Sequence, residues 1–156
     1  MSAAPSLPAA GAAAELLARV LYAEAGSWPV RGIEALAGLA MNRARLVLED
    51  AEARTRFANG EAPASLPRAL IAVLRAPFQF PTRHPHHKRH ALFAAPPAGD
   101  AALTMCRRVA RRALSGARPD ASRGALLWHE ALRLPPWAVG RIPCTELGGL
   151  IFYRLP

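Results

Sequence analysis

Apolar positions recur at helical spacing as far as Gly116, then give way to short continuous runs. Leu17, Val20 and Leu21 form the first stripe, and Glu24 falls on it one turn after Leu21. Gly26 and Pro29 then stop that helix. A second helix is predicted from about Arg31, burying Ile33, Leu36, Ala37, Ala40, Ala44, Val47 and Leu48. Ala35, Ala37, Gly38 and Ala40 leave room on it for another helix to approach closely. The charged, Gly/Pro-bearing segment Glu49 to Ala64 reads as a loop. Ser65 is placed to cap a short helix over Leu66 to Arg75, with Pro67 in its first turn and Pro77 ending it. After Phe78-Gln79-Phe80 come a basic loop, Arg83 to His90, and a Pro-rich connection. Asp100 caps the last long helix, whose stripe is Leu103, Cys106, Ala110, Ala113 and Leu114 and which Gly116 closes. Gly124 to His129 and Leu150 to Tyr153 read as two short strands, separated by Pro135-Pro136-Trp137 and Gly148-Gly149. The predicted class is α+β, mainly helical, with a small C-terminal antiparallel sheet. Residues 1–13, small and Pro-containing, read as a flexible tail before a domain over 14–156.

Length and composition narrow this further. A chain of 156 residues makes one domain, burying about two-thirds of its unfolded surface. Its hydrophobic fraction of 52% is rich in Ala, and no run approaches the roughly 18 apolar residues of a membrane helix, so no stable membrane insertion is expected. The first residues lack a positive region and a leucine-rich core, so they do not read as a signal peptide, and the chain is expected to be cytoplasmic as synthesised. The formal charge of +9 favours anionic partners: nucleic acid, a membrane surface or a cell-envelope polymer. Of the 20 basic residues only Lys88 is a lysine, a bias that composition could partly supply. Cys106 and Cys144 show no ligand spacing; Cys106 lies on an apolar stripe, and nothing in the spacing supports a pair.

Eleven carboxylates can be sorted one by one. Glu15 and Glu34 fall in first helical turns, Asp100 is a cap, and Asp120 follows Pro119 in a turn. Glu49, Asp50, Glu52 and Glu61 belong to the charged loop, and Glu130 and Glu146 border the strands. Glu24 remains: a carboxylate near a helix C-terminus and on an apolar stripe. Dipole and desolvation both disfavour its anion there, which suits a proton donor at neutral pH. The same placement also suits a Glu that simply ends a surface helix. His84, His86, His87 and His90 crowd one loop among Arg83, Lys88 and Arg89, whose charges oppose a metal cation, so a solvated basic loop is expected. Arg107, Arg108, Arg111 and Arg112 form a basic face on the last helix. No phosphate loop, Ser-centred elbow or Cys–His signature occurs.

The order Glu24-Ala25, Pro29, Gly32, Ala35, Ala37, Met41-Asn42-Arg43 resembles the opening of the SleB-type cell wall hydrolases, the family of the spore cortex-lytic enzyme. Gln79-Phe80, Ala113-Leu114, Gly116, Pro119-Asp120, Gly124-Ala125-Leu126, His129, Trp137, Gly148-Gly149 and Phe152-Tyr153 continue the resemblance to about residue 154. It implies a lysozyme-like fold, cleavage between N-acetylmuramic acid and N-acetylglucosamine, and Glu24 as the single catalytic acid. It also implies that Gln79, Phe80, His129, Trp137 and Tyr153 line or support the glycan cleft. No cofactor or metal is implied, and the expected partner is a peptidoglycan strand. The chain departs from the family at Gly26-Ser27-Trp28, where Arg-Gly-Glu is usual, at Ile33 in place of Gln, and at Leu150 in place of His.

Together these readings predict a lytic transglycosylase: no second carboxylate is evident, and the resemblance implies instead that the muramic acid N-acetyl group assists and its own 6-hydroxyl closes an anhydro ring. A hydrolytic muramidase using water is the alternative within the same chemistry. A catalytically inactive peptidoglycan-binding module is another, motivated by the altered Gly26-Ser27-Trp28. A nucleic-acid binder rests on charge alone and is not expected.

Overall fold

A computed structural model describes residues 6–117 and 119–155 and is a mainly helical α+β fold, with six α-helices and a three-stranded sheet. The first helix, α1 (Ser6–Ala25), starts earlier than expected: the alanine run at 9–14 is helical, with Ala9 and Ala13 buried. High helix propensity of Ala, with one face packed, overrides the appearance of a tail. The rest of the predicted tail, residues 1–5, lies outside the described residues. Glu15 therefore sits mid-helix, where it accepts from Arg19 and from both Nε and Nη2 of Arg107.

α2 (Val30–Glu49) buries the predicted stripe, with Leu48 only partly covered. The segment read as a loop contains α3 (Ala51–Phe57), whose first turn Asp50 caps by accepting from Ala53 N–H at 3.1 Å. Its buried stripe is only Ala53 and Phe57, too short to stand out among the charges. α4 (Leu66–Arg75) has the expected Ser65 cap, and α6 (Ala101–Ser115) has the expected Asp100 cap and a left-handed Gly116 at its end. Between them the basic segment is no open loop: a 3-10 turn over Pro81–Arg83 leads through tight turns into α5 (His90–Ala94). α1 is the central element, packed on α4, α5 and α6, and α2 packs on α4 and α6. Cys106 lies in that core, where burial pushes its thiol up to about 12; it and Cys144 are both free thiols.

The sheet has three strands, one more than expected: β1 (Leu127–Glu130), β2 (Thr145–Leu147) and β3 (Leu150–Tyr153), in the order β1-β3-β2 and all antiparallel. β2 and β3 meet through Gly148-Gly149, both at positive φ. A Cβ on Gly148 would meet the backbone of Gly32 at 2.7 Å, and one on Gly149 would drive into the Trp28 ring. The hairpin thus lies directly on the α1–α2 turn and the start of α2, which accounts for Gly at 32, 148 and 149.

A second tie holds the sheet to α2. Asn42 donates to Asp120 Oδ2 (2.7 Å), Ser122 Oγ (3.3 Å) and the Ala125 carbonyl (3.0 Å). Asp120 also accepts from Ser122 N–H and Oγ and from Gly124 N–H, and these bonds hold its carboxyl below the usual range against the opposing effect of burial. Next along, Arg43 is buried between the rings of Phe57 and Phe80 and donates to the Leu126 carbonyl at 2.8 Å. Burial pulls its guanidinium down to about 9, so it remains charged at neutral pH. These contacts set the lead-in to β1, and with it the residues that face the cleft.

Candidate active site

Glu24 occupies the last turn of α1 and is 1% exposed. Its Oε2 accepts two hydrogen bonds from one residue, the Thr82 backbone N–H at 2.8 Å and the Thr82 hydroxyl at 2.6 Å. Oε1 accepts none from the described residues and is the oxygen left for the cleft. Burial raises the carboxyl's pKa above its ordinary value; the two Thr82 bonds and the Arg89 charge oppose this, and the nearby Glu130 charge adds to it. With both donors on Oε2, Oε1 is the oxygen free to carry a proton. Thr82, itself fully buried, is fixed from behind: its carbonyl accepts from His90 Nδ1 at 2.9 Å. His90 begins α5, so the basic segment Arg83 to His90, expected to be a solvated loop, holds Thr82 at the end of α1.

Glu24 lines a cleft of about 1110 Å³. Its lining includes the cations Lys88, Arg89 and Arg133, and Phe78 and Trp137 add apolar rings. Glu130, at the end of β1, is a second carboxylate in the same cleft. Arg89 links the two acids, donating from Nη1 to the Glu24 backbone carbonyl (3.3 Å) and from Nη2 to Glu130 Oε1 (3.1 Å). His86 and His87 also face the cleft. His87 is held below its ordinary pKa by burial and the Arg89 and Lys88 charges, and its Nδ1 accepts from the Arg89 N–H.

The residues implied by resemblance divide into two groups. His129, Trp137 and Gln79 line the cleft. Phe80 and Tyr153, at 2% and 3% exposure, do not: they are core residues that support it from behind. Phe80 packs against Trp128 and beneath the Arg43 guanidinium. The Tyr153 hydroxyl, kept protonated by burial, donates to His129 Nε2 at 2.8 Å, since His129 Nδ1 donates to the Glu130 carbonyl at 2.7 Å. Trp137 stands edge-on to both rings, 5.7 Å from His129 and 5.3 Å from Tyr153. His129 and Tyr153 thereby fix Trp137, whose remaining face is open to solvent. Gln79 has both ends of its amide in use, Oε1 accepting from Arg43 and Nε2 donating to the Arg56 carbonyl. Its polar atoms brace the cleft wall.

Sequence reasoning missed Thr82 and Arg89, and placed Glu130 only at a strand border. Thr82 lies 58 positions from Glu24 and carries no periodic signal. Glu130 did carry one: it directly follows His129 on a strand whose neighbour faces inward. Of the four arginines read as a basic face, Arg107 is tied to Glu15. No protein-family model matches the chain, and neither does a characterised protein or a solved structure.

Proposed function

We propose that this protein cleaves the bond between N-acetylmuramic acid and N-acetylglucosamine in peptidoglycan as a lytic transglycosylase with a lysozyme-like arrangement. The observation that carries the proposal is Glu24: a buried carboxyl that lines an open cleft and whose Oε2 takes both Thr82 bonds, leaving Oε1 unengaged. In the reaction Glu24 Oε1 gives its proton to the bridging oxygen as the bond to the muramic acid C1 breaks. The N-acetyl carbonyl oxygen closes on C1, and the 6-hydroxyl oxygen then displaces it, losing its proton to the Glu24 carboxylate. Thr82 suits both halves, because its two donors stabilise the anion between the steps without occupying Oε1. Lys88, Arg89 and Arg133 would face the carboxylates of the peptide stems, and Trp137 a pyranose ring.

Glu130 favours a second reading, a muramidase in which water replaces the 6-hydroxyl. Its Oε1 is already engaged by Arg89, which leaves it less free to hold an attacking water, so the transglycosylase is our first reading. Digestion of purified sacculi, with products read by mass spectrometry, separates the two. Anhydro-muropeptides are expected; reducing ends would establish the muramidase instead. Sedimentation with sacculi without release of fragments would support a binding module.

A further inference from the structure

We propose that Phe78 is a sugar-stacking platform at the edge of the cleft, a second aromatic surface besides Trp137; this rests on the glycan reading above. Phe78 has φ 64°, the left-handed region that bulky side chains avoid. It directly follows Pro77, the position of a turn that ordinarily takes Gly or Asn. Packing does not account for a phenylalanine there, because its side chain is 92% exposed. Yet Phe78 lines the same cleft as Glu24 and Trp137. A strained backbone that holds a large apolar ring in water is the opposite of what stability alone selects.

The neighbouring residues hold its backbone in place. Ala76 N–H closes α4 on the Ala72 carbonyl, Gln79 is tied at both ends of its amide, and Phe80 is sunk in the core. The positive φ is what turns one side chain of Phe78-Gln79-Phe80 outward while the third is buried. An exposed ring on a pinned backbone suits the C–H face of an N-acetylhexosamine, whose stacking needs no induced movement.

The test is calorimetric binding of a peptide-free tetrasaccharide of alternating N-acetylglucosamine and N-acetylmuramic acid, in a Glu24→Gln background to prevent turnover. Phe78→Gly should bind about tenfold more weakly. Its Tm should be unchanged or higher by up to about 3 °C, because glycine relieves the φ strain and little packing is lost. Phe78→Trp should bind within about twofold of the parent, a rescue expected of stacking on an aromatic face. Equal affinity of the parent and Phe78→Gly would overturn the role of Phe78 and leave the glycan reading standing. A parallel loss of Tm and affinity in Phe78→Gly would assign the ring a structural role instead. A parent that binds no tetrasaccharide would remove both.

Discussion

Replacing Glu24 by Gln should abolish activity and stabilise the protein, and the stabilisation should depend on pH. The amide oxygen can accept both Thr82 bonds as Oε2 does, and the amide nitrogen then takes the place of Oε1. What is removed is an ionisable group whose pKa is raised, chiefly by burial, in the folded state. A raised folded pKa means that the native state holds the proton more tightly than the unfolded chain. Below about pH 4 both states are protonated, and Glu and Gln variants should be equally stable. As pH rises through the folded pKa the wild type loses stability relative to Gln. Each tenfold increase in proton affinity is worth about 1.4 kcal/mol above that pKa, or a Tm difference of about 3–6 °C in a domain this size. Solvent screening does not reduce this, because the carboxyl is buried. Thermal melts from pH 4 to pH 9 read the effect. A Gln variant that is less stable at pH 8, or a difference that does not change with pH, would refute the claim that Glu24 is a destabilised anion.

Three further substitutions probe the supports. Thr82→Val removes the hydroxyl donor and keeps the backbone one, so the alkaline limb of the kcat/KM profile should move to higher pH while kcat falls about tenfold or more; an unmoved limb would deny Thr82 its hold on the acid. Asp120→Ala strips the acceptor from Asn42, Ser122 and Gly124 and should cost about 3–5 kcal/mol, read from urea midpoints, whereas a loss under 1 kcal/mol would mean the α2 tie is unimportant. The Asp120 pKa is depressed on folding, so its contribution is present at neutral pH and is lost as pH falls through the folded value. Gly149→Ala combines positive φ with collision against Trp28 and should destabilise by about 3 kcal/mol, with part recovered in a Trp28→Ala background; no recovery would assign the whole cost to the backbone.

The unusual placement of Glu24 was legible because its signal is local. A stripe, a stop at Gly26-Pro29 and one carboxylate out of place lead to Glu24 without knowledge of the fold. The partners around its carboxyl were not, because they arrive through tertiary contact: Thr82 by the turn before α5, Arg89 and Glu130 by the meeting of that segment with β1. Phe78-Gln79-Phe80 shows the same limit at finer scale. Alternation cannot say which of two phenylalanines faces the cleft when a single positive φ between helix and turn decides it. Of the helices missed or shortened, α3 and the start of α1 have stripes of two residues or of Ala, with burial set by neighbours, and the five-residue α5 buries none of its residues and so has no stripe. The third strand is three residues long and exists as the partner of β3.

The central claim, that Glu24 donates the proton that breaks a peptidoglycan glycosidic bond, is tested most directly by the turnover of purified sacculi by wild type and Glu24→Gln side by side. The account predicts soluble muropeptides from the wild type and none from a folded Gln variant that still sediments with sacculi. Equal release by both proteins would contradict it.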